Sequence, residues 1–167
     1  TGTQHATEHL ILGESVKLGM DGVFNSQTAF LIDPYSNSPT GAHGDDFWTQ
    51  DGFDCLIELV DGMGIQACTH AIGDAAIQRV LNSYERAQTM HNSWLASHRI
   101  DHCQLPVETD QERMARLHVR ADMQPAHFFA GPDVEASLGP ERLERHMPWR
   151  SMMRRDIDMS FGSDWCA

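Results

Sequence analysis

Residues 65–74 read Ile-Gln-Ala-Cys-Thr-His-Ala-Ile-Gly-Asp, and this stretch decides the fold. Ile65 to His70 is a short apolar run that predicts a buried strand, and Asp74 is placed to cap the helix that follows. That helix carries its apolar residues on one face, at Ile77, Val80, Leu81 and Tyr84. A buried strand that passes directly into an amphipathic helix is the repeating unit of a parallel β/α fold.

The same unit recurs on both sides of this stretch. Strands are predicted at 16–21, 98–102, 119–124 and 157–161. One helix is predicted from Asp51 to about Gly62, and another begins at the capping box formed by Thr109 and Glu112. Short helices are predicted later in the chain, divided by Gly139-Pro140 and Pro148. Five strands joined by helices predict an α/β fold with a parallel sheet. The segment 24–50, rich in Gly, Pro, Ser, Asn and Asp, predicts a long loop on the active-site side.

Composition narrows the class of protein. The chain has 167 residues, of which 41% are hydrophobic and 22% charged, as expected for one globular domain. A formal net charge of -12, with no basic cluster larger than Arg154-Arg155, argues against nucleic-acid binding. No apolar run approaches the roughly 20 residues of a membrane span. The four cysteines form no CxxC pair, which suggests reduced thiols and a cytoplasmic location.

Polar residues stand where the predicted strands end. His70, His102, Gln124 and Asp164 all occupy this position, and in parallel β/α folds the chemistry gathers at the carboxyl ends of the strands. His70 and His102 lie about one β/α unit apart, so they can face each other from adjacent strands. Together they favour a metal site, although each alone is explained equally well as a hydrogen-bonded histidine near a helix N-terminus.

Asp164 and Lys17 complete the predicted constellation. Asp164 is the predicted catalytic residue, because a carboxylate beside a cation can bind it weakly and take a proton from a metal-activated water; capping of a following helix is the alternative. Lys17 is the only lysine of the chain. As a neutral amine it can add carbon dioxide to form a carbamate ligand; otherwise it reaches solvent or pairs with Asp21 or Glu14.

Further residues near the strand ends are predicted to bind polar groups of a substrate. They are Arg99, Asp74, Gln124 and His127, with Arg150 able to reach the same mouth; taken singly, each is better explained by a structural role. The pair His5 and His9, spaced to share a helix face, is better explained as solvent-exposed than as a metal site.

Five motifs follow one another in a recognisable order: Val16-Lys17 with Asp21-Gly22-Val23-Phe24, His70-Ala71-Ile72-Gly73-Asp74, Arg99-Ile100-Asp101-His102, Met123-Gln124-Pro125, and Gly162-Ser163-Asp164-Trp165. In this order the chain resembles the amidohydrolase superfamily, most closely the branch that includes N-substituted formamide deformylases. The resemblance implies a metal-dependent (β/α)8 barrel in which Lys17, His70, His102 and Asp164 bind a divalent metal from strands four, five, six and eight. Zinc is the expected metal, with one or two ions in the intact enzyme.

The chain also departs from that family. The His-x-His pair of the first barrel strand is absent, and a barrel of this kind needs about 250 residues. The expectation is therefore a single partial TIM-barrel catalytic domain over residues 1–167, covering about strands 4 to 8 and lacking the N-terminal strands. Asp101 stands where relatives usually have Glu, Ala75 where Arg is common, and Cys166 at a usual proline position.

The expected function is metal-dependent hydrolysis of carbon-nitrogen bonds other than peptide bonds in a small amide-like molecule, impaired in a chain that lacks part of the barrel. Exposed strand edges would also favour a homo-oligomer. Two alternatives remain: a non-catalytic β/α module for binding or assembly that keeps remnant ligands, and a complete single-metal hydrolase.

Overall fold

A computed structural model describes residues 15–91, 97–128 and 131–164, together with the backbone of 6–7 and 10–11. Its strands are β1 (Ala6–Thr7), β2 (Leu10–Ile11), β3 (Ser15–Gly19), β4 (Gln66–Ala71), β5 (Arg99–His102), β6 (Arg120–Met123) and β7 (Met159–Phe161). The helices are α1 (Gln50–Gly62), α2 (Asp74–His91), α3 (Glu108–Leu117), α4 (Pro132–Glu144) and α5 (Trp149–Met153), with a 3-10 turn at Pro125–Phe128.

Strands β3 to β7 form one parallel sheet in which spatial order follows chain order. Helices α1, α2 and α3 connect successive strands, and the 3-10 turn, α4 and α5 connect β6 to β7. This sequential β/α winding confirms the predicted α/β fold class with the architecture of a partial (β/α)8 barrel. Strands β1 and β2, which pair antiparallel, were not predicted.

The two faces of the sheet differ in polarity because successive strand residues point to opposite sides. Ala67, Ile100 and Ala121 are fully buried in one apolar cluster with helix residues such as Ile57 and Ile77. The alternating positions of the same strands form a polar row on the other face: Lys17, His70, Arg99, Asp101, Arg120, Asp122 and Ser160. One face therefore supplies the core, and the other carries the polar row that includes Lys17 and His70.

The loop between β3 and α1 is long and irregular, as predicted, and it is packed against the rest of the fold. Its apolar residues form a second cluster with partners from three other segments: Phe24, Ala29, Leu31, Tyr35, Ile72, Leu105, Val134 and Leu138. The Arg142 guanidinium of α4 donates to the carbonyls of Asp33 and Pro34, both at 2.9 Å. The loop is thereby held over the carboxyl ends of the strands.

Two predicted helix starts are wrong. Helix α1 begins at Gln50, one residue before the predicted start, and is capped by Thr49, whose hydroxyl accepts from the Gly52 N–H at 3.2 Å. Helix α3 begins at Glu108 with Val107 as its N-cap and no side-chain cap bond, so Thr109 lies inside the helix and forms no capping box. The predicted division at Gly139-Pro140 is confirmed as a kink, with Gly139 at φ 72°.

Strands β3 and β7 are the two edges of the five-stranded sheet. Self-association through these edges stays a prediction. Within the described ranges, no helix has the length and apolar character needed to cross a membrane.

Candidate metal centre

A cavity of about 600 Å³ opens at the carboxyl ends of the strands. Its apolar lining includes Phe24, Ile72 and Val134. Its polar lining includes all four predicted metal ligands and consists of Lys17, Asn25, His70, His102, Gln104, His127, His146 and Asp164. The structure thus brings together residues that are far apart in the sequence. Their role as ligands stays a prediction.

His70 presents one nitrogen for a cation. Its Nε2 lies 3.0 Å from the Gly22 carbonyl oxygen, and since a carbonyl can only accept, Nε2 carries the proton. Burial lowers the pKa of His70, opposed by the bond to Gly22, so the ring is neutral near pH 7. The neutral tautomer leaves the Nδ1 lone pair available, as in metal-bound histidines whose other nitrogen donates to a carbonyl.

His102 lies beside His70, with ring centroids 4.4 Å apart and planes at 62°. His102 as a whole is 7% exposed. Its Nδ1 is buried and has no hydrogen-bond partner in the part of the chain that is described. Burial and the neighbouring His70 lower the pKa of His102 to about 4. A buried nitrogen without a partner is costly, and a bound cation near this ring is one way to satisfy it.

His127 and Asp164 lie close to His102. One ligand atom from each of these three residues lies within 4.8 Å of the other two. His127 belongs to the 3-10 turn after β6, and its ring is nearly parallel to that of His102, with centroids 6.0 Å apart and planes at 13°. Two imidazole nitrogens and a carboxylate oxygen form a donor set that suits zinc and similar divalent metals. The sequence placed His127 at the mouth but gave no sign of this proximity.

Lys17 makes an ion pair that the sequence did not predict. Its ammonium bonds to Asp101, whose other oxygen lies 2.7 Å from the Arg99 Nε. The Lys17 side chain is 57% exposed, whereas that of Asp101 is 4% exposed. The ammonium therefore has a carboxylate partner without modification, and this partner is Asp101 rather than Asp21, which was one of the alternatives to a carbamate.

Of the predicted substrate contacts, only His127 is among the cavity-lining residues of the described chain. Arg99 is the first residue of β5 and pairs with Asp101. Asp74 accepts from the Ile32 N–H at 2.9 Å and pairs with Arg145 at 2.8 Å. Gln124 is buried after β6, and Arg150 is exposed on α5. The role of these four in substrate binding stays a prediction.

Asp21 contacts the site residue His70, a role that neither its place in the first motif nor its possible pairing with Lys17 predicted. Its carboxylate accepts N–H bonds from Phe30 (2.9 Å), Ile72 (3.0 Å) and Gly73 (2.9 Å) and lies 3.6 Å from the His70 Nε2. Burial raises the pKa of Asp21 to about 7, although these N–H groups oppose the rise. The only sequence signal was its position at the end of a predicted strand.

His146 and Gln104 form a second polar pair in the cavity wall. The His146 Nε2 lies 3.2 Å from the Gln104 Oε1, and burial lowers the pKa of His146 to about 4. His146 follows α4 in a segment without periodicity, so the sequence gave no reason to select it. Some residues named above lie outside the described ranges: His5, His9, Glu14, Trp165 and Cys166.

A parallel β/α sheet with imidazoles and a carboxylate converging at the strand ends defines the class of metal-dependent hydrolases. The chain belongs to the amidohydrolase family, whose family model matches residues 1–167.

Individual relatives support the same class. The chain is 31% identical to YtcJ of Bacillus subtilis (strain 168) over 153 residues, which is 90% of this chain and 28% of that protein. It is 25% identical over 158 residues to the N-substituted formamide deformylase of Arthrobacter pascens, covering 93% of this chain and 28% of the enzyme. A crystal structure of an uncharacterized metal-dependent hydrolase from Pyrococcus furiosus superimposes with a TM-score of 0.82 at 27% identity, covering 98% of this chain and 33% of that one. The chain thus spans about a quarter to a third of the length of these relatives.

Proposed function

We propose that the protein to which this chain belongs hydrolyses a carbon-nitrogen bond, other than a peptide bond, in a small amide-like substrate, using a divalent metal. The observation that carries the proposal is the convergence of His70, His102 and Asp164 on one cavity. The similarity to a formamide deformylase supports the carbon-nitrogen bond as the target. Because the relatives are longer, the activity is proposed for this segment together with the remaining length of such a protein.

The residues present fit a divalent metal. His70 offers Nδ1, His102 offers a neutral ring with a buried nitrogen that lacks a partner in the described chain, and Asp164 offers a carboxylate. Zinc is the proposed ion on the basis of this donor set. Lys17 would join as a carbamate only after leaving its ion pair with Asp101. A bound ion would polarise the amide carbonyl and lower the pKa of the attacking water.

The protein groups around the ion have separate tasks. Asp164 accepts a proton from the attacking water and returns it to the leaving nitrogen, since it is a carboxylate at the cavity wall. Phe24, Ile72 and Val134 line the same cavity and exclude water from the apolar part of the substrate. The Gly22 carbonyl fixes the orientation of the His70 ring through its hydrogen bond.

Metal content and hydrolysis test the proposal together. The protein, loaded with zinc, is incubated with a panel of N-substituted formamides, and released formate is measured alongside bound zinc by elemental analysis. We expect the His70→Ala, His102→Ala double variant to lose both zinc and formate release. His118→Asn serves as the control, because His118 is an exposed histidine at the end of α3 in a left-handed conformation that Asn tolerates. Zinc binding without hydrolysis of any amide would support the non-catalytic module instead.

A further inference from the structure

We propose that His127 is a metal ligand, and that His127, His102 and Asp164 hold a divalent cation while Lys17 remains paired with Asp101. This inference rests on the proposed function only in requiring a divalent metal. It changes the role of His127 from the predicted substrate contact to a ligand.

The position of His127 is fixed by its backbone. The chain leaves β6 at Met123, and the His127 N–H donates to the Gln124 carbonyl at 2.9 Å, which closes the 3-10 turn at the strand end. This turn places the imidazole next to His102, which lies at the end of the neighbouring strand β5. Since both side chains are delivered by adjacent strand ends, neither depends on a long flexible segment for its position.

The distances suit one ion. Zinc takes nitrogen and oxygen ligands at about 2.0–2.2 Å, so that neighbouring ligand atoms of a tetrahedral site lie roughly 3.3 Å apart. The ligand atoms of His102, His127 and Asp164 lie within 4.8 Å of one another without an ion. Closing this set on a cation requires each pair of ligand atoms to approach by at most about 1.5 Å.

Lys17 is a poorer ligand in this state. An ammonium repels a cation, so Lys17 must lose a proton, add carbon dioxide and give up its bond to Asp101 before it can coordinate. His127 has to do none of these things, because an imidazole ring nitrogen binds a metal without chemical modification. The two observations, an occupied Lys17 and an adjacent His127, point to the same ligand set.

Cobalt(II) is the probe for the test, because its visible absorption reports the ligands around it. The metal-free protein is titrated with Co²⁺ and with Zn²⁺, and absorption and binding heat are followed. We expect His127→Ala to weaken zinc binding by at least about 100-fold, the upper end of the loss seen when only an outer-shell partner is removed. His146→Asn is the matched control, because His146 lines the same cavity but lies outside the His102, His127 and Asp164 group; its zinc affinity should equal that of the wild type.

A cysteine substitution distinguishes a metal ligand from a residue with only a structural role, because a thiolate absorbs visibly only when it binds the cobalt ion. With Co²⁺, His127→Cys should show a thiolate-to-cobalt charge-transfer band, and His146→Cys should not. Far-UV circular dichroism confirms that each variant is folded. The inference is overturned if His127→Ala binds cobalt as tightly as the wild type, or if His127→Cys shows no charge-transfer band. In that case the proposed function still holds, provided that the His70→Ala, His102→Ala variant loses metal. If the wild type binds no metal, both the inference and the proposed function are overturned. If the cobalt results are as expected but no amide is hydrolysed, only the proposed reaction is overturned.

Discussion

Asp101 shows how one buried carboxylate organises the polar face of the sheet. Its side chain is 4% exposed and lies between Lys17 of β3 and Arg99 of its own strand. A buried carboxylate without partners is strongly unfavourable, and the two cations compensate its charge. The ion network therefore ties the edge strand β3 to β5 across β4.

We expect Asp101→Asn to lower the free energy of unfolding by about 2 kcal/mol. Breaking a buried ion pair costs about 3–5 kcal/mol, and the exposure of the Lys17 side chain reduces this figure. Urea unfolding of the metal-free protein measures the change. Lys17→Met is the comparison: it leaves Arg99 with Asp101, so its loss should be below about 1 kcal/mol. An Asp101→Asn variant as stable as the wild type would show that the network adds nothing.

At the scale of elements, the turn from β4 into α2 holds the long loop in place. The N–H groups of Ile72 and Gly73 donate to Asp21, and Asp74 accepts from Ile32. The backbones approach so closely that a Cβ on Gly73 would lie 1.9 Å from the Phe30 carbonyl oxygen. The loop is therefore an integral wall of the cavity, and glycine at this position is required by close packing of two backbones.

We expect Gly73→Ala to destabilise the protein by about 2–3 kcal/mol, because the clash is with backbone and no side chain can rotate away. Limited proteolysis should then cut residues 20–49 faster than in the wild type. Gly131→Ala is the matched control, since a Cβ there meets nothing within 4 Å. Equal proteolysis rates for the two variants would show that the loop does not depend on this contact.

Much of the element pattern was predictable because the apolar residues recur with the period of a helix or follow one another in a strand. The helix starts were less predictable, since they depend on local competition. The pair Thr109 and Glu112 has the spacing of a capping box, yet α3 starts one residue before Thr109, with Glu108 and Asp110 in its first turn. A spacing rule cannot tell which of two adjacent residues will begin the helix.

The site was predictable where each residue ends a strand of its own. His70, His102 and Asp164 could be placed near one another from the order of strands alone, and the structure brings them to one cavity. The Lys17 pair with Asp101 depends on the register of three strands, in which Lys17 is opposite Cys68 and His70 opposite Asp101. Sequence periodicity does not fix that register to the residue, so the pair could not be foreseen.

For the molecule as a whole, buried histidines connect the site to stability. Burial lowers the pKa of four histidines in the described chain: His70, His98, His102 and His146. His98 is fully buried; its Nδ1 accepts the Ala67 N–H at 3.1 Å and its Nε2 donates to Asp61 at 3.0 Å. Protonation of His98 would break the first of these bonds, so the fold requires a neutral ring.

We therefore expect the metal-free protein to lose stability as the pH falls from about 7 to about 5. The unfolded chain takes up protons near the ordinary histidine pKa of 6.5, whereas His102 and His146 stay neutral in the fold until about pH 4. The unfolded state thus binds more protons in this range, and the free energy of unfolding decreases with falling pH. Asp21 and Asp110 act in the opposite direction, because burial raises the pKa of both carboxyl groups, that of Asp21 to about 7, but two carboxyl groups oppose four imidazoles. Urea unfolding at a series of pH values measures the slope, which His146→Asn should reduce. A stability that is constant or rises on acidification would mean that the buried rings accept protons as readily as those of the unfolded chain.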